Sequence, residues 1–312
     1  MSLAIEIHNL QKSYGDTIAL RGINLNIEPG AFHGLLGPNG AGKTTTIGII
    51  TGLVKLQEGN ISVFGKDIIK DFRFTRSKIG VSPQEFTSDW FFSIERLLVF
   101  QAGYYGIAKE KAIPRVEKIM KKLGLYEKRS KKIRSLSGGM KRRFMIAKSL
   151  VNNPDILILD EPTAGVDVEL RHMLWDYLKE LHSDGKTILL TTHYIEEAEK
   201  LCEKVSIIDD GKIVTEGAPL ELVRNLGQGK IEISLRGWKK TNEEEFHNIP
   251  FTYEKRADDD RLTFLTDDPE KQLPFIVGLV SDKGYQINEV KIKKSSLEDV
   301  FVSLTGKTMN QQ

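Results

Sequence analysis

The run Gly37-Pro38-Asn39-Gly40-Ala41-Gly42-Lys43-Thr44-Thr45 limits what this chain can fold into more than any other stretch. Before it, Phe32-His33-Gly34-Leu35-Leu36 is short and largely apolar, the pattern of a parallel strand buried on both faces. After it, Ile47, Ile49, Ile50 and Leu53 can cover one face of a helix over residues 44–53, with Gly52 near its end. A strand that turns through glycines directly into a helix belongs to an α/β layer.

The remainder of the chain extends that layer. Residues 4–8 and 23–27 alternate apolar and polar, which predicts half-buried antiparallel strands, and Glu28-Pro29-Gly30 is a turn. Further strands are expected at 61–65, 79–82, 156–160, 187–192 and 204–208. Residues 93–150 read as helical, broken at Gly103, Gly106 and Pro114, and 170–182 as another helix. Alternating strands and helices predict an α/β fold whose central sheet is mostly parallel. The pattern changes near Gly227-Gln228-Gly229. Beyond it come a strand (231–235), a short helix (242–248), a strand (251–255), a turn (257–260), a strand (261–266), a helix (270–283) and a strand (286–291). That order is β-α-β-β-α-β, a ferredoxin-like split motif; a last helix is expected at 297–304. The domains expected are therefore 1–226, with a helical subdomain over about 86–150, and a small α+β domain over 227–306, followed by a frayed tail at 307–312.

The glycine run has a definite chemistry. With the pattern G-x-x-x-x-G-K-T it is the phosphate-binding loop known as Walker A. Its glycines let successive N–H groups point at one anion, and the helix start adds roughly half a positive charge. Lys43 would neutralise the β- and γ-phosphates of ATP, and the Thr44 hydroxyl would ligate Mg²⁺. The apolar run 156–160 ends in Asp160-Glu161-Pro162. An acid at the carboxyl end of a central parallel strand lies beside such a loop, where Asp160 can hold Mg²⁺ directly or through water. Glu161 points differently and can polarise an attacking water.

Composition bounds the rest. At 312 residues the chain holds about two domains. No run approaches the roughly 18 apolar residues of a membrane span, and Met1-Ser2-Leu3-Ala4-Ile5-Glu6 lacks the basic start and apolar core of a secretory leader. A single cysteine, Cys202, reads as a small core residue, and the cytosol is the expected compartment. Net charge is only +2, yet eleven Lys or Arg fall between Lys118 and Arg143, with Glu127 their chief acid. That run is either a solvated helical face or a surface drawn to an anionic membrane or nucleic acid, with the membrane favoured.

Leu136-Ser137-Gly138-Gly139-Met140, shortly before the run ending in Asp160, resembles the signature loop of ATP-binding cassette ATPases. The resemblance covers residues 3 to about 225. It implies a P-loop cassette with a mixed central sheet, an antiparallel β subdomain and a helical subdomain. It also implies two copies facing head to tail, so that Ser137, Gly138 and Gly139 of one act on the ATP held by the other. Ser137 and the glycines would present a hydroxyl and N–H groups from the start of a helix at Gly139. By the same resemblance Tyr14 stacks on adenine, Gln84 touches the metal and the attacking water, Asp167 in Ala164-Gly165-Val166-Asp167 crosses to the other copy, and His193 reaches the γ-phosphate. Catalysis would fall to Glu161, His193, Gln84 and Lys43, and Mg²⁺ to Thr44, Gln84 and Asp160.

Met140 replaces the family's usual glutamine and is followed by Lys141-Arg142-Arg143. This variant, with the tail from Ser296 to Gly306, resembles the drug-export and sodium-export branch. The partners implied are a second copy and a separate integral membrane permease, with the chain peripheral on the inner face of the membrane and no nucleic acid bound. Trp90-Phe91-Phe92 reads either as part of the docking surface or as helical-subdomain core. A soluble cassette ATPase acting on ribosomes or nucleic acid is the alternative, although such factors usually carry two cassettes where this chain has one.

Overall fold

The computed structural model describes residues 2–86, 91–227, 229–236, 252–254, 261–266 and 268–307. The chain divides into two units, Met1–Pro219 and Leu220–Thr308.

In the first unit, β1 (Ile5–Tyr14) and β2 (Thr17–Ile27) form an antiparallel hairpin. β3 (Phe32–Leu36) leads into α1 (Lys43–Thr51), which ends on the left-handed Gly52. β4 (Glu58–Val63) and β5 (Lys66–Asp67) complete a four-stranded sheet of order β2-β1-β4-β5. Next come α2 (Phe72–Lys78), β6 (Ile79–Ser82), α3 (Ile94–Tyr104), α4 (Lys109–Lys122), α5 (Gly138–Leu150), β7 (Ile156–Asp160), α6 (Val168–Ser183), β8 (Thr187–Thr192), α7 (Ile195–Leu201), β9 (Lys204–Asp209) and β10 (Lys212–Gly217).

The six-stranded sheet has the order β10-β9-β3-β8-β7-β6, parallel except for β10. Every residue of β3, β7 and β8 is buried, which is why they read as near-continuous apolar runs. One apolar core joins the two sheets through α1: Ile5, Ile7 and Ile27 pack with Ile47, Ile49, Leu35, Ile158 and Leu189. Cys202 directly follows α7, is buried, and its thiol pKa is pushed well up by burial. A Cβ on Gly34 would meet its Sγ at 2.9 Å, so the small pair fills one spot between helix and sheet.

Three sequence expectations fail here. Pro114 does not break the helical region: α4 runs through it. The proline removes only one hydrogen-bond donor, and buried Ala112, Val116, Ile119 and Met120 hold the helix against its neighbours. No helix was expected at α2, because only Thr75 of its residues is buried and the sequence shows no apolar stripe. No strand was expected at β10, although Asp210-Gly211 is a hairpin signal. Both have positive φ (44° and 72°), Asp209 pairs with Lys212, and β10 returns antiparallel on β9.

The second unit opens within α8 (Pro219–Leu226). Then come β11 (Gly229–Arg236), β12 (Thr252–Glu254), β13 (Arg261–Thr266), α9 (Pro269–Asp282), β14 (Gln286–Lys293) and α10 (Leu297–Thr305). The expected helix at 242–248 and turn at 257–260 lie outside the described residues. The sheet order is β12-β13-β11-β14 with every neighbour antiparallel, so β13 inserts between β11 and β12, as the split motif requires. Ile231, Ile233, Leu235 and Phe264 face Ile276 and Val280 of α9. Ser296 and Asp299 form a capping box that starts α10. Among the described residues of the whole chain, no helix is long and apolar enough to cross a membrane.

Candidate active site at the carboxyl ends of three strands

β3, β8 and β7 lie side by side, with Leu35 and Asp160 both paired to Thr191. Their carboxyl ends therefore level off together, and the loops that leave them share one crevice, the usual ligand position in such sheets. The glycine run leaves β3. Gly40 and Gly42 sit at φ 82° and 109°, in the left-handed region. Gly37 admits no side chain, since a Cβ there would stand 2.3 Å from the Ile208 carbonyl oxygen. Gly42 caps α1 with no side-chain acceptor, so the first-turn N–H groups are left for an anion. The back of the loop is tied down, because Gly211 N donates to Ala41 O (3.1 Å) and Arg21 N donates to Gly211 O (2.8 Å).

Lys43 is buried and donates from Nζ to the carbonyls of Gly37 (2.6 Å) and Pro38 (3.0 Å). Burial lowers its pKa, and Glu161 and Asp160 oppose that shift. Asp160 accepts from the Thr44 hydroxyl (3.1 Å) on one oxygen and from the Thr191 hydroxyl (2.5 Å) on the other. Thr44 and Asp160 thus present two hard oxygen donors side by side, a set that fits Mg²⁺ completed by phosphate and water oxygens.

Glu161 is the centre of the arrangement. It is 5% exposed and adopts φ 49°, a conformation costing a side-chain-bearing residue roughly 1–3 kcal/mol. Its N–H donates to Thr191 O (3.1 Å) and Oγ1 (3.2 Å), which holds the turn. Gln84 Nε2 donates to Glu161 Oε2 (3.1 Å), and Lys43 Nζ lies 3.9 Å from Oε1. His193 Nδ1 is 3.1 Å from Oε1, within ion-pair distance but without hydrogen-bond geometry. Burial works against ionisation of this carboxyl, but His193, Lys43 and Arg142 outweigh it and hold the pKa below the usual value. A carboxylate so held can orient and polarise a water.

The structure thus gathers Lys43, Thr44, Gln84, Asp160, Glu161 and His193. Gly37 and Pro38 join it through Lys43, while Ser137, Gly138, Gly139 and Asp167 lie at the starts of α5 and α6 and Tyr14 at the end of β1. Ser137 caps α5 by accepting from Met140 N (3.3 Å), so that helix starts at Gly138 rather than at Gly139. A Cβ on Gly138 would meet nothing within 4 Å, whereas one on Gly139 would meet the Leu170 side chain at 2.5 Å. Asp167 is exposed and caps α6 through Leu170 N (2.9 Å). Tyr14 is 50% exposed at the end of β1, with the Lys12 ammonium 5.1 Å from its ring centre. Phe91 is 78% exposed, while Phe92 packs edge-on to Phe100 at 5.3 Å; Trp90 lies outside the described residues.

Sequence reasoning missed Arg142, reading it only as part of a basic run. Its guanidinium donates to the carbonyls of Pro83 (3.3 Å) and Gln84 (3.2 Å), so it turns inward and braces the segment that carries Gln84. Burial lowers its pKa, while Glu161 and Asp160 act the other way. A cleft of about 240 Å³ lies beside it, lined by Gln84, Phe86, Gly138, Ala164 and Val166. Arg143 also turns inward, donating to Leu123 O (3.0 Å).

Known proteins resemble this chain in sequence and in fold. Residues 20–164 match the family model described as ABC transporter. The Nod factor export ATP-binding protein I of Burkholderia thailandensis is 40% identical over 312 residues, 99% of each chain. The protein of the same name from Cupriavidus metallidurans is 37% identical over 314 residues, again 99% of each. Among solved structures, an ATP binding subunit of an ABC transporter superposes with a TM-score of 0.67 at 28% identity, covering 72% of this chain and 93% of that one. A dimeric post-hydrolysis ATP-binding cassette bound to ADP and Pi gives 0.64 at 29% identity, covering 69% and 98%. The chain belongs to the ABC transporter family. Within it, it is an ATP-binding subunit that hydrolyses ATP.

Proposed function

We propose that this chain powers export through a separate integral membrane permease, working as a pair of identical ATPase subunits on the inner face of the membrane. The observation that carries the hydrolytic part is the Glu161 carboxylate, held among Gln84, His193 and Lys43 beside the Asp160–Thr44 pair. In this reading Glu161 takes up the proton of the attacking water and His193 steadies the γ-phosphate. Lys43 and the N–H groups of 37–45 bind the phosphates. Thr44, Asp160 and Gln84 would hold Mg²⁺, which supplies charge neutralisation between the β- and γ-phosphates. Tyr14 offers an exposed ring for adenine. Ser137, Gly138, Gly139 and Asp167, at the starts of α5 and α6, would serve the ATP of the second copy; the dimeric cassette among the structural neighbours supports that assembly.

The relatives' shared name supports export, and Met140 with the closing helix α10 supports the branch that includes drug and sodium exporters. The names of the proteins reported above speak of export and of an ABC transporter, which favours this reading over action on ribosomes or nucleic acid. Two measurements test it. Glu161→Gln should bind ATP as the wild type does while phosphate release falls at least about 100-fold; full turnover would remove Glu161 from its role. Affinity capture of the chain from membranes should bring down a polypeptide with several hydrophobic spans, and recovery of the chain alone would refute the permease partnership.

A further inference from the structure

Glu197 is not used by the chemistry described above. It is fully buried on α7. Its Oε1 accepts hydrogen bonds from the Thr163 hydroxyl (2.9 Å) and from the Trp175 indole Nε1 (3.0 Å). Among the described residues, Oε2 finds no hydrogen-bond partner. Burial pushes this carboxyl's pKa up, against Thr192, Trp175, Thr163 and Arg171, which favour the charged form. A buried carboxyl is a costly way to fill space that an apolar side chain would fill more stably. Its reason has to lie in what it joins.

Thr163 stands two residues beyond Glu161, in a turn closed by Ala164 N donating to Glu161 O (3.2 Å). Trp175 belongs to α6, the helix that Asp167 caps. α7 begins at Ile195, just after His193, and Glu197 N donates to Tyr194 O (3.2 Å). One carboxyl oxygen therefore ties together the turn after β7, helix α6 and the segment carrying His193.

We propose that Glu197 is a positioning residue for ATP hydrolysis: it clamps the 161–167 turn to α7, so that Glu161 and His193 keep the 3.1 Å separation seen between them. The inference rests on the roles proposed above for those two residues. A glutamine at this place keeps the accepting oxygen, whereas an alanine keeps none. Misplacing a reacting group by about 1 Å costs on the order of 100-fold in rate.

The test is ATP turnover by the full chain with Mg²⁺, with melting temperature and ATP binding measured on every variant. Glu197→Ala should lower kcat about 100-fold with the KM for ATP changed less than about threefold, and Glu197→Gln should return kcat to within about threefold of wild type. Thr163→Val, which deletes one of the two donors, should lower kcat about tenfold. A folded Glu197→Ala with wild-type kcat overturns the proposal, as does a change confined to KM or a loss that Glu197→Gln fails to rescue. If Glu197→Ala does not fold, Thr163→Val decides: unchanged kcat overturns the clamp. Glu161→Gln is run alongside. Full turnover there removes the underlying roles, whereas loss there with full activity in Glu197→Ala removes only the clamp.

Discussion

Thr191→Val deletes one hydroxyl and adds one methyl, with little change in volume, at a site with no access to water. In the wild type that hydroxyl donates to Asp160 Oδ1 at 2.5 Å and accepts from Glu161 N at 3.2 Å. Thr191 is 0% and Asp160 2% exposed, so no solvent replaces the lost donor. A hydrogen bond to a buried charged acceptor is worth roughly 1.5–3 kcal/mol. The Glu161 N–H keeps its bond to Thr191 O at 3.1 Å, so the carboxylate bears most of the loss. For a unit of this size each kcal/mol moves the melting temperature by about 2–4 °C, which gives a drop of about 3–12 °C by calorimetry. The same hydroxyl fixes the carboxylate that faces Thr44, and such outer partners are worth about 10–100-fold in metal affinity. The Mg²⁺ concentration for half-maximal ATPase activity should therefore rise at least about tenfold, and Thr191→Ser should restore both quantities. A Thr191→Val protein with unchanged melting and unchanged Mg²⁺ dependence would show that the hydroxyl neither stabilises nor orients Asp160.

Two further outcomes are expected. Arg142→Ala frees the Pro83 and Gln84 carbonyls and removes a cation that helps keep Glu161 ionised. Losing about 1.4 kcal/mol of positioning lowers kcat about tenfold, and the acid limb of the pH–rate profile moves upward; a profile and rate identical to wild type would refute the bracing role. His33 is buried in β3, with its Nε2 2.8 Å from Ser206 Oγ; burial chiefly lowers its pKa from 6.5 to about 4, Lys204 adding to this and Glu216 opposing. A folded-state value below the unfolded one means the unfolded chain takes up the proton first. His33 thus contributes full stability above pH 6.5 and loses it as pH falls towards about 4. The loss is about 3 kcal/mol at most, and urea midpoints between pH 7 and pH 4 should fall less in His33→Gln than in wild type.

Much of the site was legible because fully buried parallel strands advertise themselves. β3, β7 and β8 have the bounds that their apolar runs predict, so the sequence sets Asp160, Glu161 and His193 at strand ends. What escaped was whatever depends on where a long side chain turns. Arg142 looked like any other cation in a basic run, because sequence carries no record of the two carbonyls it reaches. Glu197 sits in Glu196-Glu197 on a short helix; one of the pair is exposed and the other wholly buried, and adjacent identical residues do not say which. Pro114 misled for the opposite reason, a strong local preference overruled by packing. β10 is different again, because its turn, Asp210-Gly211, is written in the sequence.

The tie between Gly211 and the phosphate loop anchors that loop to strands of two different sheets. Gly211 accepts from Arg21 of β2 and donates to Ala41, so the hairpin ending at Tyr14, the β9–β10 turn and the glycine run are stitched together by main-chain bonds that side-chain movement cannot break. Base and phosphates would therefore sit on a single anvil. Gln84 and Arg142, by contrast, meet across a loop and a helix through the Arg142 guanidinium, which donates to the Gln84 carbonyl. A shift of the segment that carries Gln84 would be felt at Glu161 through the hydrogen bond between them.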